Sequence, residues 1–132
     1  MAFLLDSDIC IHLINSTSEQ AWTRLSRCDP AAVFLSAISI AELRFGAAYS
    51  QSALHNHEVL EEFLERFDVV PFDEKCAHAY GEIRAVLTKN GTLIGPMDML
   101  IAAQAIACDF TLVTVNEREF QRVPKLHSIN WL

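Results

Sequence analysis

Ala2-Phe3-Leu4-Leu5-Asp6 is an apolar run closed by an acid. A strand with one wet face alternates apolar and polar residues. This run does not alternate, so it suits a central parallel strand covered by helices on both sides. Working outward, further strands are expected at Ala32-Val33-Phe34-Leu35-Ser36, at 68–72 where Pro71 stops the run, at Thr111-Leu112-Val113-Thr114, and in short form at Ser128-Ile129-Asn130. Residues 8–15 read as a short helix capped by Asp8, and Ser18 opens a second with Trp22 and Leu25 on one face. Ser36 or Ser39 caps a third helix, running to about Ser52. Val59, Leu60, Phe63, Leu64 and Phe67 recur at spacings of three and four, opposite Glu58, Glu61, Glu62 and Glu65, which marks an amphipathic helix. Asp73 caps a helix that Asn90-Gly91 ends, and Gly95-Pro96 opens another from Met97 to about Cys108. Strands separated by long helical stretches predict an α/β/α sandwich around a mostly parallel sheet of four to five strands. No Pro/Gly/Ser-rich linker divides the chain, so residues 1–132 are expected to be one domain.

Composition narrows the function. Of 132 residues, 52% are hydrophobic and 20% charged, enough apolar material for a buried core and too much for a disordered chain. No apolar run approaches the roughly 20 residues that span a bilayer. The amino-terminal segment meets an acid at Asp6 and has no basic stretch before it, which argues against a signal peptide and for a cytoplasmic protein. Ten Lys and Arg against 17 Asp and Glu give a net charge of −7, which counts against a sequence-independent nucleic-acid binder. The same charge also fits several carboxylates gathered at one metal site. Cys10, Cys28, Cys76 and Cys108 are widely spaced with no C-x-x-C pair, and read as small hydrophobes in a reducing compartment. Four glycines and no glycine-rich loop after a strand exclude a dinucleotide or P-loop site.

In open parallel sheets, ligands bind outside the carboxyl ends of the strands. Asp6 follows the first strand, Asn116 follows the fourth by two residues, and Glu119 lies one turn further on. Glu42 lies one to two turns into the helix after the second strand, on one face with Ile38 and Phe45. Asp98 is in the first turn of the Gly95-Pro96 helix, beside Ile101, Ala102 and Ala105. Each alone is an ordinary cap, dipole partner or solvated position. Together they need a partner, because an unpaired carboxylate on an apolar stripe costs several kcal/mol to bury, and no comparable set of Lys or Arg lies nearby in sequence. A hard divalent ion answers that need. Mg²⁺ or Mn²⁺ suits oxygen ligands better than Zn²⁺, and the five scattered histidines form no zinc pattern.

Four blocks carry these residues: Leu4-Leu-Asp-Ser-Asp-Ile-Cys-Ile, Ser39-Ile-Ala-Glu-Leu-Arg-Phe-Gly-Ala-Ala, Ile94-Gly-Pro-Met-Asp-Met-Leu-Ile-Ala-Ala, and Leu112-Val-Thr-Val-Asn-Glu-Arg-Glu-Phe. In that order and spacing the chain resembles the PIN-domain ribonucleases, specifically the VapC toxins of bacterial toxin–antitoxin pairs. The likeness runs over nearly the whole chain, to Trp131. It implies a PIN-like fold and Mg²⁺- or Mn²⁺-dependent endonucleolytic cleavage of RNA, leaving a 5′-phosphate and a 3′-hydroxyl. Asp6, Glu42 and Asp98 match the family's acidic triad and are the expected metal ligands, with Glu42 either a ligand or the acceptor of the water's proton. The fourth position, Asp in many PIN proteins, is Asn116 here with Glu119 one turn on, as in one VapC subgroup. Thr114 matches a hydroxyl that in the family helps position a metal-bound water. The subgroup likeness suggests a structured RNA, with the anticodon stem-loop of initiator tRNA as the expected target and inhibited translation and growth as the outcome.

The resemblance also implies partners: a cognate VapB-type antitoxin whose carboxyl-terminal segment blocks the cleft, a homodimer, and a larger hetero-oligomer that holds operator DNA through the antitoxin. The Val59–Phe67 and Trp22/Leu25 helices offer apolar surface for that segment. Arg44, Arg84, Lys89, Arg118, Arg122 and Lys125 are candidate phosphate contacts. Setting Asp6, Glu42, Asp98 and Glu119 aside brings the net charge from −7 to −3, and shape-selective recognition of folded RNA tolerates weak general attraction. Two alternatives stand beside this. Asp6 and Asp8 together match the nucleophile and acid of a haloacid-dehalogenase-like phosphohydrolase, although Cys10 and Gly95-Pro-Met-Asp fit that pattern poorly. Asn116 in place of Asp fits a catalytically silent PIN-fold binding module.

Overall fold

Leu4 and Leu5 are adjacent in sequence and head two separate cores, because successive strand side chains point to opposite faces of a sheet. The computed structural model describes residues 1–132 and orders them as strands β1 (Phe3–Leu5), β2 (Val33–Ser36), β3 (Asp68–Val70), β4 (Thr111–Val113) and β5 (Ser128–Ile129). The helices are α1 (Ser7–Ile14), α2 (Glu19–Ser26), α3 (Ala37–Tyr49), α4 (Ala53–Leu64), α5 (Glu74–Asn90), α6 (Pro96–Ala107) and α7 (Glu117–Phe120). All strand pairs are parallel and the order across the sheet is β3-β2-β1-β4-β5. The expected sheet is therefore present, with five strands.

On one face, Leu4 and Leu112 pack with Ile83 and Leu87 of α5 and with Met99, Ile101 and Ala102 of α6. On the other, Leu5, Leu35 and Val113 pack with Ile9 and Leu13 of α1, Leu43 of α3, and Leu60 and Phe63 of α4. Trp131 closes this second core, its ring edge-on to Phe3 at 5.5 Å. No helix is long and apolar enough to cross a membrane.

Local signals placed most boundaries. Ser18 caps α2 through Ala21 N–H, Ser36 caps α3 through Ile38 N–H, and Asp73 caps α5 through Cys76 N–H. Gly91, at φ 65°, ends α5 in the left-handed conformation that glycine adopts without strain. Two expectations need correction. The cap of α1 is Asp6, whose carboxylate accepts from Ile9 N–H at 3.0 Å, while Asp8 is exposed in the first turn. The amphipathic helix also begins earlier than its apolar repeat, at Ala53, and stops at Leu64. All four cysteines are free, with Cys10 and Cys76 buried.

Candidate functional site

The strand order reverses between β1 and β4: β2 and β3 lie to one side of β1, and β4 and β5 to the other. Such a switch point leaves a crevice at the carboxyl ends of the two central strands, where the connections diverge. Asp6 stands at the end of β1 and Thr114 and Asn116 just beyond β4, one on each side of that crevice. The ladder continues one step past the strands, with Asp6 N–H donating to Val113 C=O at 3.1 Å and Thr114 N–H to Ile129 C=O at 2.9 Å. Their backbones are thus part of the sheet, which fixes where their side chains start.

Asp6 is 5% exposed. Burial pushes its pKa up from 3.8 to about 6, against the hydrogen bonds from Ile9 N–H and the Thr114 hydroxyl, and the charges of Asp8 and Glu42 raise it further. Thr114 is fully buried, and its hydroxyl also accepts from Asn116 N–H at 3.0 Å. Asp98, in the first turn of α6, is raised from 3.8 to about 7 by burial and then by the charges of Glu119, Glu42 and Asp6. Glu119 is shifted the other way. Gly95 N–H donates to its Oε1 at 2.9 Å, the Asn116 amide to its Oε2 at 2.5 Å, and Asp98 supplies a further hydrogen bond. Asp98 and Glu119 therefore form a carboxyl pair in which the proton rests on Asp98. Glu42 enters from the second turn of α3, with Ser7 Oγ donating to its Oε1 at 3.2 Å.

Asp6, Glu42, Asp98 and Glu119 thus converge from four separate elements and act on one another electrostatically. None is paired with a cation. The two ion pairs of the chain, Arg44–Glu61 and His78–Glu82, lie on other surfaces. Arg122 acts on Glu119 through its charge without forming an ion pair, and a gathering of carboxylates so weakly countered suits a hard divalent ion. No three His, Cys, Asp or Glu side chains close into a cage by themselves; Mg²⁺ usually takes one or two carboxylates and keeps several waters. The residues fit such an ion.

The basic candidates divide. α5 and α6 run antiparallel, since the thiols of Cys76 near the start of α5 and Cys108 at the end of α6 are neighbours. Lys89, at the far end of α5, therefore reaches the carboxylate edge. Arg122 reaches it too, where its guanidinium donates to Leu93 C=O at 3.1 Å. Arg118 is exposed on α7 at the same edge. Arg84 lies further back on α5, bonded to the Tyr80 hydroxyl at 2.9 Å, and Arg44 is held by Glu61. Lys125 does not belong to this set. It lines a small hollow with Asp109, Phe110 and His127 at the opposite edge, where β4 and β5 begin.

The apolar surface follows expectation for the Val59–Phe67 helix, which lines a groove, but not for the Trp22/Leu25 helix. Trp22 and Leu25 pack into the second core, and the Trp22 indole N–H is bound to Leu13 C=O at 3.0 Å. The open groove, about 760 Å³, runs between α1, α3 and α4, with Ile11, Phe45, Val59 and Met97 among its walls and Ser7 and Glu42 at the site. Sequence reading missed Ser7 as the holder of Glu42 and treated Gly95 only as a helix opener. A side chain at Gly95 would begin 3.4 Å from Asp98 Oδ2 and 3.7 Å from Glu119 Oε1, in ordinary contact with the carboxyl pair, so Gly95 bears on the site through its N–H. The only advance signal for either was adjacency to an acid-bearing block.

Comparison with known proteins gives the same family. The PIN domain family model matches residues 3–126. Ribonuclease VapC2 of Rickettsia felis is 38% identical over 132 residues, covering 99% of this chain and 98% of that one. The tRNA(fMet)-specific endonuclease VapC of Shigella flexneri is 35% identical over 131 residues, with 99% and 98% covered. Among solved structures, VapBC2 of R. felis bound to a promoter DNA fragment matches at a TM-score of 0.93 and 37% identity over the whole of both chains. DNA-bound VapBC from Salmonella typhimurium matches at 0.95 and 34%, covering 100% of this chain and 99% of that one. These relatives favour neither the phosphohydrolase nor the silent binding module. PIN-domain ribonucleases are generally divalent-metal dependent. With a parallel sheet in the order β3-β2-β1-β4-β5, carboxylates gathered at its switch point and full-length relatives of this kind, the chain belongs to the PIN-domain family, among its VapC ribonucleases.

Proposed function

We propose that this single PIN domain is the toxin of a type II toxin–antitoxin pair, a Mg²⁺- or Mn²⁺-dependent endoribonuclease acting on a structured RNA in the cytoplasm. The observation that carries the reading is the convergence of Asp6, Glu42, Asp98 and Glu119 at the switch point with no basic side chain paired to any of them. Asp6, Asp98 and Glu42 would hold the ion, whose chemistry there would be to acidify a water and to neutralise charge on the phosphoryl oxygens. Thr114 orients the Asp6 carboxylate through its hydroxyl, and Ser7 orients Glu42. In the Asp98–Glu119 pair, Gly95 N–H and the Asn116 amide favour the ionised form of Glu119, while burial and the neighbouring acids disfavour that of Asp98. Asn116 serves as the donor that fixes Glu119. Lys89, Arg118 and Arg122 at the same edge meet the phosphate backbone, with Arg84 and Arg44 further out.

The relative named tRNA(fMet)-specific endonuclease supports initiator tRNA as the substrate class. Solved relatives that are VapBC complexes bound to DNA support a VapB-type antitoxin partner; operator DNA held through that antitoxin, in a hetero-oligomer built on a toxin homodimer, belongs to the same proposal. The α1–α3–α4 groove gives that antitoxin's carboxyl-terminal segment an apolar seat that ends at Glu42. The test is cleavage of a tRNA pool by the purified chain with Mg²⁺ or Mn²⁺, with EDTA and Asp98→Asn as the two controls. Discrete fragments that vanish in both controls are expected. Cleavage by Asp98→Asn near the wild-type rate, or turnover of p-nitrophenyl phosphate that survives Glu42→Gln, overturns the reading.

A further inference from the structure

Gln104 is fully buried in the third turn of α6, where the neighbouring core positions are Met99, Ile101, Ala102, Ala103 and Ala105. A primary amide among such residues is expensive unless both of its ends are bonded. Both are. Its Oε1 accepts from the buried Ser36 hydroxyl, and its Nε2 donates to Val70 C=O at 3.0 Å. The Ser36 oxygen also caps α3, accepting from Ile38 N–H at 2.9 Å and Ser39 N–H at 3.4 Å. One side chain therefore joins α6, the root of α3 and the end of β3.

The position of this junction bears on the site. Glu42 lies six residues after Ser36 along α3, and Asp98 lies six residues before Gln104 along α6. At 1.5 Å of rise per residue, each carboxylate sits roughly 9 Å from the junction, so a tilt of about 10° between the two helices moves one carboxylate relative to the other by about 1.5 Å. Mg²⁺ tolerates far less, holding its oxygens near 2.0–2.1 Å in almost ideal octahedral geometry. Resting on the metal-nuclease reading above, we infer that Gln104 is a positioning residue: its amide pins α3 to α6 and so sets the separation of Glu42 and Asp98 to that required by a divalent ion.

The test measures Mn²⁺ binding by calorimetry and by the electron paramagnetic resonance of free Mn²⁺, with no RNA present. Gln104→Met keeps the volume and removes both bonds. Ile83→Ala, in the same core but on α5, supplies a destabilised control, and thermal melts place both variants on one stability scale. The expected result is a loss of at least about tenfold in Mn²⁺ affinity for Gln104→Met, no more than about twofold for Ile83→Ala, and recovery of RNA cleavage by Gln104→Met when the metal concentration is raised. Equal affinity in the wild-type chain and Gln104→Met, or the same loss in the control at matched stability, shows a purely structural amide and overturns the inference. A wild-type chain that binds no Mn²⁺ overturns the metal site itself and the inference with it.

Discussion

Replacing Asp6 by Asn isolates the cost of holding a carboxylate in the site. Asp6 is 5% exposed and titrates at about 6 in the folded chain, against 3.8 when free. Between those values the folded protein holds a proton that the unfolded chain has released, so stability falls as pH rises through the window. At about 1.4 kcal/mol for each tenfold, the penalty is roughly 0.5 kcal/mol at pH 4 and about 3 kcal/mol above pH 7. Asparagine keeps the geometry: it caps helices as well as aspartate does, so the bond from Ile9 N–H survives, and its amide oxygen still accepts from Thr114. Burying a neutral amide takes back part of the gain, leaving about 1–2 kcal/mol. For a domain of this size that is roughly 3–10 °C in melting temperature. In EDTA, Asp6→Asn should therefore melt below the wild-type chain near pH 4, cross it at about pH 5 and melt above it at pH 8. Saturating Mg²⁺ should reverse the order, because only the wild-type chain gains the binding free energy. A variant that melts below the wild type at pH 8 in EDTA, or a difference flat from pH 4 to pH 8, refutes the claim that burial of an unpaired charge sets this site.

Three further outcomes bear on the same cluster. Asp6 at about 6 and Asp98 at about 7 must both lose protons to a metal, so apparent Mn²⁺ affinity should fall on the order of 100-fold from pH 8 to pH 5.5, and a flat titration by calorimetry removes them as ligands. Asn116→Asp should tighten metal binding while lowering apo stability by about 1–2 kcal/mol, since the donor to Glu119 becomes a repelling charge; unchanged affinity places position 116 outside the metal shell. Glu42→Gln keeps the bond from Ser7 but removes the charge, and should cut RNA cleavage by about 10²–10⁴-fold with the fold intact, as read by single-turnover assays and circular dichroism; a near wild-type rate excludes Glu42.

What the sequence revealed about this site followed from short-range physics. Asp73 and Gly91 mark both ends of α5 because a cap needs only its own turn. The acids at strand ends were visible because a buried parallel strand shows as an apolar run, and the residue after it faces the ligand edge. The failures came where the choice is made at a distance. Asp6 and Asp8 are equally good caps by type; Asp6 takes the role because the ladder bond to Val113 C=O holds it at the end of β1, and α1 starts at Ser7. Trp22 looked like a surface anchor, and only the packing of α2 against α1 shows its indole tied to Leu13. Lys125 is close in sequence to Arg122, yet the chain has by then crossed back to the edge where β5 starts.

The same distinction explains why four acids can be held together before any metal arrives. Each of the three whose backbone or side chain is locked uses hydrogen-bond donors that cost no net charge: Ile9 N–H and the Thr114 hydroxyl for Asp6, Gly95 N–H and the Asn116 amide for Glu119, the Ser7 hydroxyl for Glu42. An Arg or Lys in any of these places would settle the fold more firmly, but it would also fill the charge requirement that the proposed divalent ion would meet. Neutral donors orient the oxygens and leave their negative potential in place, and the strain that remains appears as the raised pKa values of Asp6 and Asp98. Asp98 is the member with no neutral donor at all, and it bears the larger rise; its position rests instead on where α6 is held, which returns the geometry of the site to the buried bond between Ser36 and Gln104.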